Sequence, residues 1–117
     1  MKISEIVALL DAKVFCGEEL LEKEVHYGVG SDLMSDVLAY VTDEAILLTG
    51  LVNPQVVRTA EIMDMKAIVI LRGKVPTDAM IELAQERSLV MMSTDKGMFH
   101  ACGMLYDAGM GSGDGLE

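Results

Sequence analysis

Four short stretches of this sequence hold the side chains best suited to recognition chemistry. They are Asp32 in "GVGSDL", Thr49, Gly50 and Asn53 in "AILLTGLVNP", Arg72, Gly73 and Lys74 in "AIVILRGKVP", and Ser93, Thr94 and Asp95 in "LVMMSTDKG". Glycine lets a backbone turn tightly and approach a guest closely. Thr49, Asn53, Ser93 and Thr94 offer neutral hydrogen bonds, while Arg72 and Lys74, joined by Lys96, can hold an anion. Together these residues read as a site for a small anion or a nucleotide. The same residue types also cap and turn. Asn53 before Pro54, Thr77 and the Ser93–Asp95 run each suit a helix N-cap, worth about 1 kcal/mol. Recognition would then be a product of several such bends meeting along one border.

No other chemistry is spelled out. There is no phosphate-binding G-x-x-x-x-G-K-[ST] loop, "GVGSDL" is too short for the dinucleotide fingerprint, and no nucleophile elbow is present. Asp32 and Asp36 are four apart, as a carboxylate pair on one helix face would be, but acidic chains produce such pairs by chance. No residue is assigned a catalytic role. Cys16, Cys102, His26 and His100 form no metal-ligand spacing, and a helical His100-x-Cys102 pair would diverge. Neither metal nor cofactor is expected.

The chain has 117 residues, enough for one domain with a modest core. Its net charge of −10 would repel nucleic acid and anionic lipid, and no basic cluster offsets it. The apolar runs are strand-sized, so no membrane span is expected, and acids inside the first apolar stretch argue against a signal peptide. Two reduced cysteines fit a cytoplasmic location.

The elements that must position the four stretches are periodic. Blocks 45–66, 67–88 and 89–110 each open with an apolar strand, "AILLT", "AIVIL" and "LVMMS", then turn, cap and close with an amphipathic helix. Runs without alternation imply a sheet covered on both faces, and strand–helix units of this length imply parallel pairing. The helix stripes are Val56, Val57, Ala60 and Met63, then Met80, Leu83 and Ala84, then Met98, Phe99, Cys102, Leu105 and Tyr106. A leucine-rich solenoid shares the 22-residue period but needs more copies and a leucine ladder. Before the repeats come a helix at 4–11 capped by Ser4, a strand at 12–17, a strand from Lys23 towards Gly28–Gly30, and a helix at 31–41. The Gly-rich tail at 110–117 is expected to be flexible. The ten methionines suit core gaps. The predicted fold is a three-layer α/β sandwich on a mainly parallel sheet. It is expected to form a homodimer that buries leftover apolar surface.

"GSDLMSDVLAY", "AILLTG", "AIVILRGKVPTDAMIELAQERSLVMMST" and "DKGMFHACGML", in that order, resemble the DRTGG domain. That small α/β module occurs alone, in bacterial phosphotransacetylases, and beside CBS domains in some pyrophosphatases. The opening "EIVALLDAKVFCGEELLEKEV" is similar to the related N-terminal domain of HPr kinase, and the resemblance covers residues 3–109. Asp32 matches the family's Asp, followed by Leu33 rather than Arg. Arg72, Gly73 and Lys74 stand where the family tends to have Thr-Gly-Gly. The resemblance implies a stand-alone regulatory or ligand-binding module without catalysis of its own, often dimeric. The alternative is a protein–protein adaptor for a redox complex of hydrogenase type.

Overall fold

The computed structural model of the chain describes residues 1–40 and 44–112. Helix α1 (Ile3–Leu10) leads to strand β1 (Lys13–Cys16), a short 3-10 turn (Glu18–Leu20) and strand β2 (Tyr27–Gly30). Then come α2 (Met34–Tyr40), β3 (Ala45–Thr49), α3 (Pro54–Ile62), β4 (Ala67–Ile70), α4 (Asp78–Glu86), β5 (Val90–Ser93), α5 (Met98–Asp107) and β6 (Gly111–Ser112). The sheet order is β1-β5-β4-β3-β2-β6; β1 runs antiparallel to β5, and every other pairing is parallel. The expected α/β sandwich on a mainly parallel sheet is the observed fold.

Local chemistry explains most of the elements. All five residues of β3 and all four of β4 are buried, because helices cover both faces of the sheet. Asn53 caps α3 by accepting the Gln55 N–H at 2.8 Å, with Pro54 at the first helical position. Thr77 caps α4 by accepting from Met80 N. Ser4, by contrast, lies inside α1 and caps nothing. The first donors of that helix, Ile3 N and Ser4 N, bond to the carbonyls of Lys23 and Leu21. This shortens the strand expected from Lys23: residues 21–25 run past the start of α1, and β2 pairing begins only at Tyr27.

Parallel crossovers share one hand. A chain stepping through β2, β3, β4 and β5 in one direction therefore lays α2, α3 and α4 on one face. Their Met34, Val57 and Met80 pack there against Leu47, Ile68 and Met91. The return from β5 to β6 reverses direction and places α5 on the opposite face with α1. There Ile6, Leu10, Ala101 and Leu105 cover Ile46, Val69 and Met92. Met80, Met91 and Met92 are fully buried and Met63, Met98 and Met104 partly so, in keeping with gap filling.

Two further expectations need correction. Phe99 and Tyr106, placed on the inward stripe of the last helix, are 93% and 72% exposed. The inward positions of α5 are Ala101 and Leu105, with Met98 and Cys102 half-buried beside them. Positions 110–112, expected in the Gly-rich tail, belong to the fold. Met110 is buried, and Gly111 and Ser112 pair with Tyr27 and Gly28 of β2. The rest of that tail, 113–117, lies outside the described residues, as does the last position of the helix expected at 31–41. Among the described residues, no helix is long and apolar enough to cross a membrane.

Candidate functional site

Because β2, β3, β4 and β5 are parallel, their carboxyl ends share one border of the sheet. The segments that follow them carry the residues singled out in the sequence. A parallel sheet opens a crevice between adjacent strands whose following helices leave towards opposite faces. Here those strands are β4 and β5, since α4 covers one face and α5 the other. The crevice is flanked by Arg72–Lys74 and by Thr94–Gly97.

The loops at this border are tied to one another. Asp32, just after β2, accepts through one oxygen from the Gly50 N–H at 2.6 Å and the Thr49 hydroxyl at 3.0 Å. It sits ahead of α2, so it does not share a helix face with Asp36. Lys74 Nζ donates to the Gly50 carbonyl at 2.8 Å. Arg72 N–H donates to the Lys96 carbonyl at 2.9 Å, and Gly73 N–H to the Thr94 carbonyl at 2.8 Å. The tips of β2, β3, β4 and β5 are thus one hydrogen-bonded rim.

The turn after β4 is tight. Lys74 N–H closes back on the Leu71 carbonyl, with Arg72 at φ 60° and Gly73 at φ 70°. Two consecutive left-handed residues define a type I′ geometry that glycine adopts freely. An arginine there costs about 1–2 kcal/mol. The result is an exposed guanidinium that makes no hydrogen bond or ion pair among the described residues. A Cβ added at Gly50 would meet only ordinary contacts, 3.5 Å from Asp32 Oδ1 and 3.7 Å from Lys74 Nζ, so both side chains close over this glycine. Asp32, Gly50, Leu71, Arg72, Lys74 and Met98 enclose a recess of about 150 Å³.

The remaining predicted residues divide. Asp95 is exposed beside the turn, with its Oδ1 3.2 Å from where a Cβ on Gly73 would stand. Ser93 is half-buried within β5, paired to Lys13 and Ile70. Asn53 caps α3 and does not line the recess. The Thr94 hydroxyl is buried and donates to the Leu10 carbonyl at 2.7 Å; Lys96 Nζ reaches the same carbonyl at 3.3 Å. Both therefore latch the end of α1 to the rim.

Sequence reasoning missed Leu71 and Met98 as lining residues, since apolar side chains carry no signal of binding. It also missed the start of α5. Gly97 sits at the N-cap with no side-chain cap, within 3.8 Å of Arg72 Nε measured from an added Cβ. Among the described residues, the N–H groups of Met98, Phe99 and His100 have no acceptor. Uncapped helix donors of this kind favour negative charge.

A second, more apolar cavity of about 320 Å³ lies between β2, α5 and β6, with Leu48, Cys102, Leu105 and Met110 in its wall. A Cβ on Gly30 would stand 2.7 Å from Cys102 Sγ, so this glycine is what lets α5 approach β2. Burial pushes the thiols of Cys102 and Cys16 above their ordinary value of 9.0. The folded chain then keeps protons that the unfolded chain releases, so stability is full below about pH 9 and falls above it. The urea midpoint should drop between pH 8 and pH 10. A Cys16→Ala/Cys102→Ala variant that loses as much over the same interval would show that the thiols are not responsible. Among the described residues, no group of three or more His, Cys, Asp or Glu side chains could hold a metal ion.

Comparison with known proteins agrees with this architecture. Among solved structures, the chain is similar to the CBS and DRTGG domains of the regulatory region of the Clostridium perfringens pyrophosphatase, crystallised with its activator diadenosine tetraphosphate. The superposition has a TM-score of 0.71 at 17% identity and covers 99% of this chain. It takes in 52% of the other chain, so this protein spans about half of that neighbour's length. At that identity the likeness is one of fold. No curated protein matches the sequence. The family model of the DRTGG domain matches residues 5–108, nearly the whole described fold, and the chain belongs to the DRTGG domain family.

Proposed function

We propose that the chain is a regulatory module, without catalysis of its own, that holds the phosphate of a small anionic ligand at the strand-end rim. One observation carries this reading. In a chain of net charge −10, Arg72 and Lys74 stand side by side at the switch point, beside three open N–H groups of α5. A guanidinium kept in a left-handed turn, where glycine would be less strained, suits a ligand-facing charge.

Volume limits what enters. A site of about 150 Å³ is below the ~300–1,000 Å³ of pockets that engulf whole ligands. One phosphate or acyl phosphate fits, and the rest of a nucleotide would lie outside. The nucleotide class is favoured by the neighbouring pyrophosphatase region, whose activator is diadenosine tetraphosphate.

The reading is tested by thermal-shift titration with ATP, diadenosine tetraphosphate and acetyl phosphate at millimolar concentration. A ligand at ten times its Kd stabilises by about 1.4 kcal/mol. For a domain of this size that raises Tm by roughly 3–6 °C. The Arg72→Ala/Lys74→Ala variant should lose that rise, since charge-assisted bonds contribute about 1.5–3 kcal/mol each. No rise with any of the three, or an equal rise in the variant, would overturn the proposal.

A further inference from the structure

The outer face of α5 carries a pattern that the rim does not use. Phe99 and Tyr106 are the two most exposed of the large apolar side chains among the described residues, at 93% and 72%. Between them lies Gly103, with nothing within 4 Å of where its Cβ would be. A shallow depression of about 470 Å³ runs over this glycine, walled by Phe99, His100, Met104 and Asp107. At 100° per residue, Gly103 marks the centre of the outward face. Phe99 and Tyr106 then form one flank, and His100 and Asp107 the other.

We infer that this face is the surface on which a second copy of the chain docks, with two α5 helices crossing antiparallel at Gly103. The argument is self-complementarity. A twofold axis perpendicular to antiparallel helices keeps each flank on its own side and reverses the chain direction. Centred on Gly103, it sets Phe99 against the partner copy's Tyr106 position and His100 against its Asp107 position, each twice. Both matches are favourable, aromatic on aromatic and imidazole on carboxylate. A parallel arrangement would instead set the aromatic flank against the polar one. Glycine at the crossing allows the two backbones to approach closely, as small residues do.

Charge favours the same occupant. Two copies of a chain with net charge −10 repel across most of their surfaces. The α5 face adds one acid, Asp107, and the His100 imidazole can donate a hydrogen bond to a carboxylate. A strongly basic partner would find few anions to hold here. The helix has 10 residues and is about 15 Å long, so the contact is small and the dimer concentration-dependent.

Sedimentation velocity on the intact chain, from low micromolar to near-millimolar concentration, tests this. A monomer–dimer equilibrium is expected. Phe99→Glu should weaken it by about tenfold or more, with thermal stability unchanged because Phe99 makes little contact with its own fold. His100→Asp should weaken it as well, by setting carboxylate against carboxylate. The double variant His100→Asp/Asp107→Lys should restore it. A chain that stays monomeric throughout would overturn the proposal, whatever else binds this face. So would a dimer that Phe99→Glu leaves intact. The readout is mass, so the result is independent of any ligand at the rim.

Discussion

Gly17→Ala should lower the stability of this domain by about 2–5 kcal/mol, a large share of the 5–15 kcal/mol typical of such folds. Two causes add. Gly17 has φ 88°, where an L side chain is strained by about 1–2 kcal/mol. Its Cβ would also stand 2.8 Å from Val90 Cα and 3.1 Å from the Leu89 carbonyl. Those neighbours are backbone at the start of β5, held by pairing to β4 and β1, and they cannot swing aside as a side-chain tip could. Overlap in packed surroundings costs a further ~1–3 kcal/mol. Gly109 separates the two effects. Its φ is 103°, yet nothing lies within 4 Å of its Cβ position, so Gly109→Ala carries the backbone strain alone. Urea unfolding of both variants should give the greater loss at position 17. Equal losses would mean that β5 does not run where β1 turns into the 3-10 helix.

Thr94→Val should cost about 1–3 kcal/mol, while Ser93→Ala next to it changes stability by no more than about 0.5 kcal/mol. The valine matches threonine in shape and removes only the hydroxyl. That hydroxyl is buried, donates to the Leu10 carbonyl at 2.7 Å and accepts from Lys96 N–H at 3.4 Å. Leu10 ends α1, so its carbonyl lacks an intrahelical donor and depends on the rim for partners. Without the hydroxyl, its one remaining donor among the described residues is Lys96 Nζ at 3.3 Å. Thr94→Ser should recover most of the loss. This comparison also decides between two roles. A hydroxyl that bound ligand would leave chemical denaturation unchanged on substitution and lower affinity instead.

Much of the fold was legible because local and global preferences agree. "AILLT" and "AIVIL" can only be strands covered on both faces, and Asn53-Pro54 and Thr77 mark helix starts that the structure confirms. The border bringing Asp32, Gly50, Arg72 and Lys74 together followed from parallel pairing. What failed depended on tertiary context. Two overlapping stripes run along α5, and period alone cannot say whether Ala101 or Phe99 faces inward; contact with α1 decides it. Strand β6 has no apolar signal, since Gly111 and Ser112 become a strand only by meeting the free edge of β2. Thr94 looked like a ligand donor because nothing in the sequence places Leu10 beside it, eighty-four residues away.

The most direct measurement of the central claim is backbone-amide chemical-shift mapping of the isotope-labelled chain during titration with ATP. The rim is defined by Gly50, Arg72, Gly73, Lys74 and the first turn of α5. Saturable shifts concentrated on those amides, absent when Arg72 and Lys74 are both alanine, are the expected result. Shifts centred on the cavity around Cys102, or none at any concentration, would contradict the account.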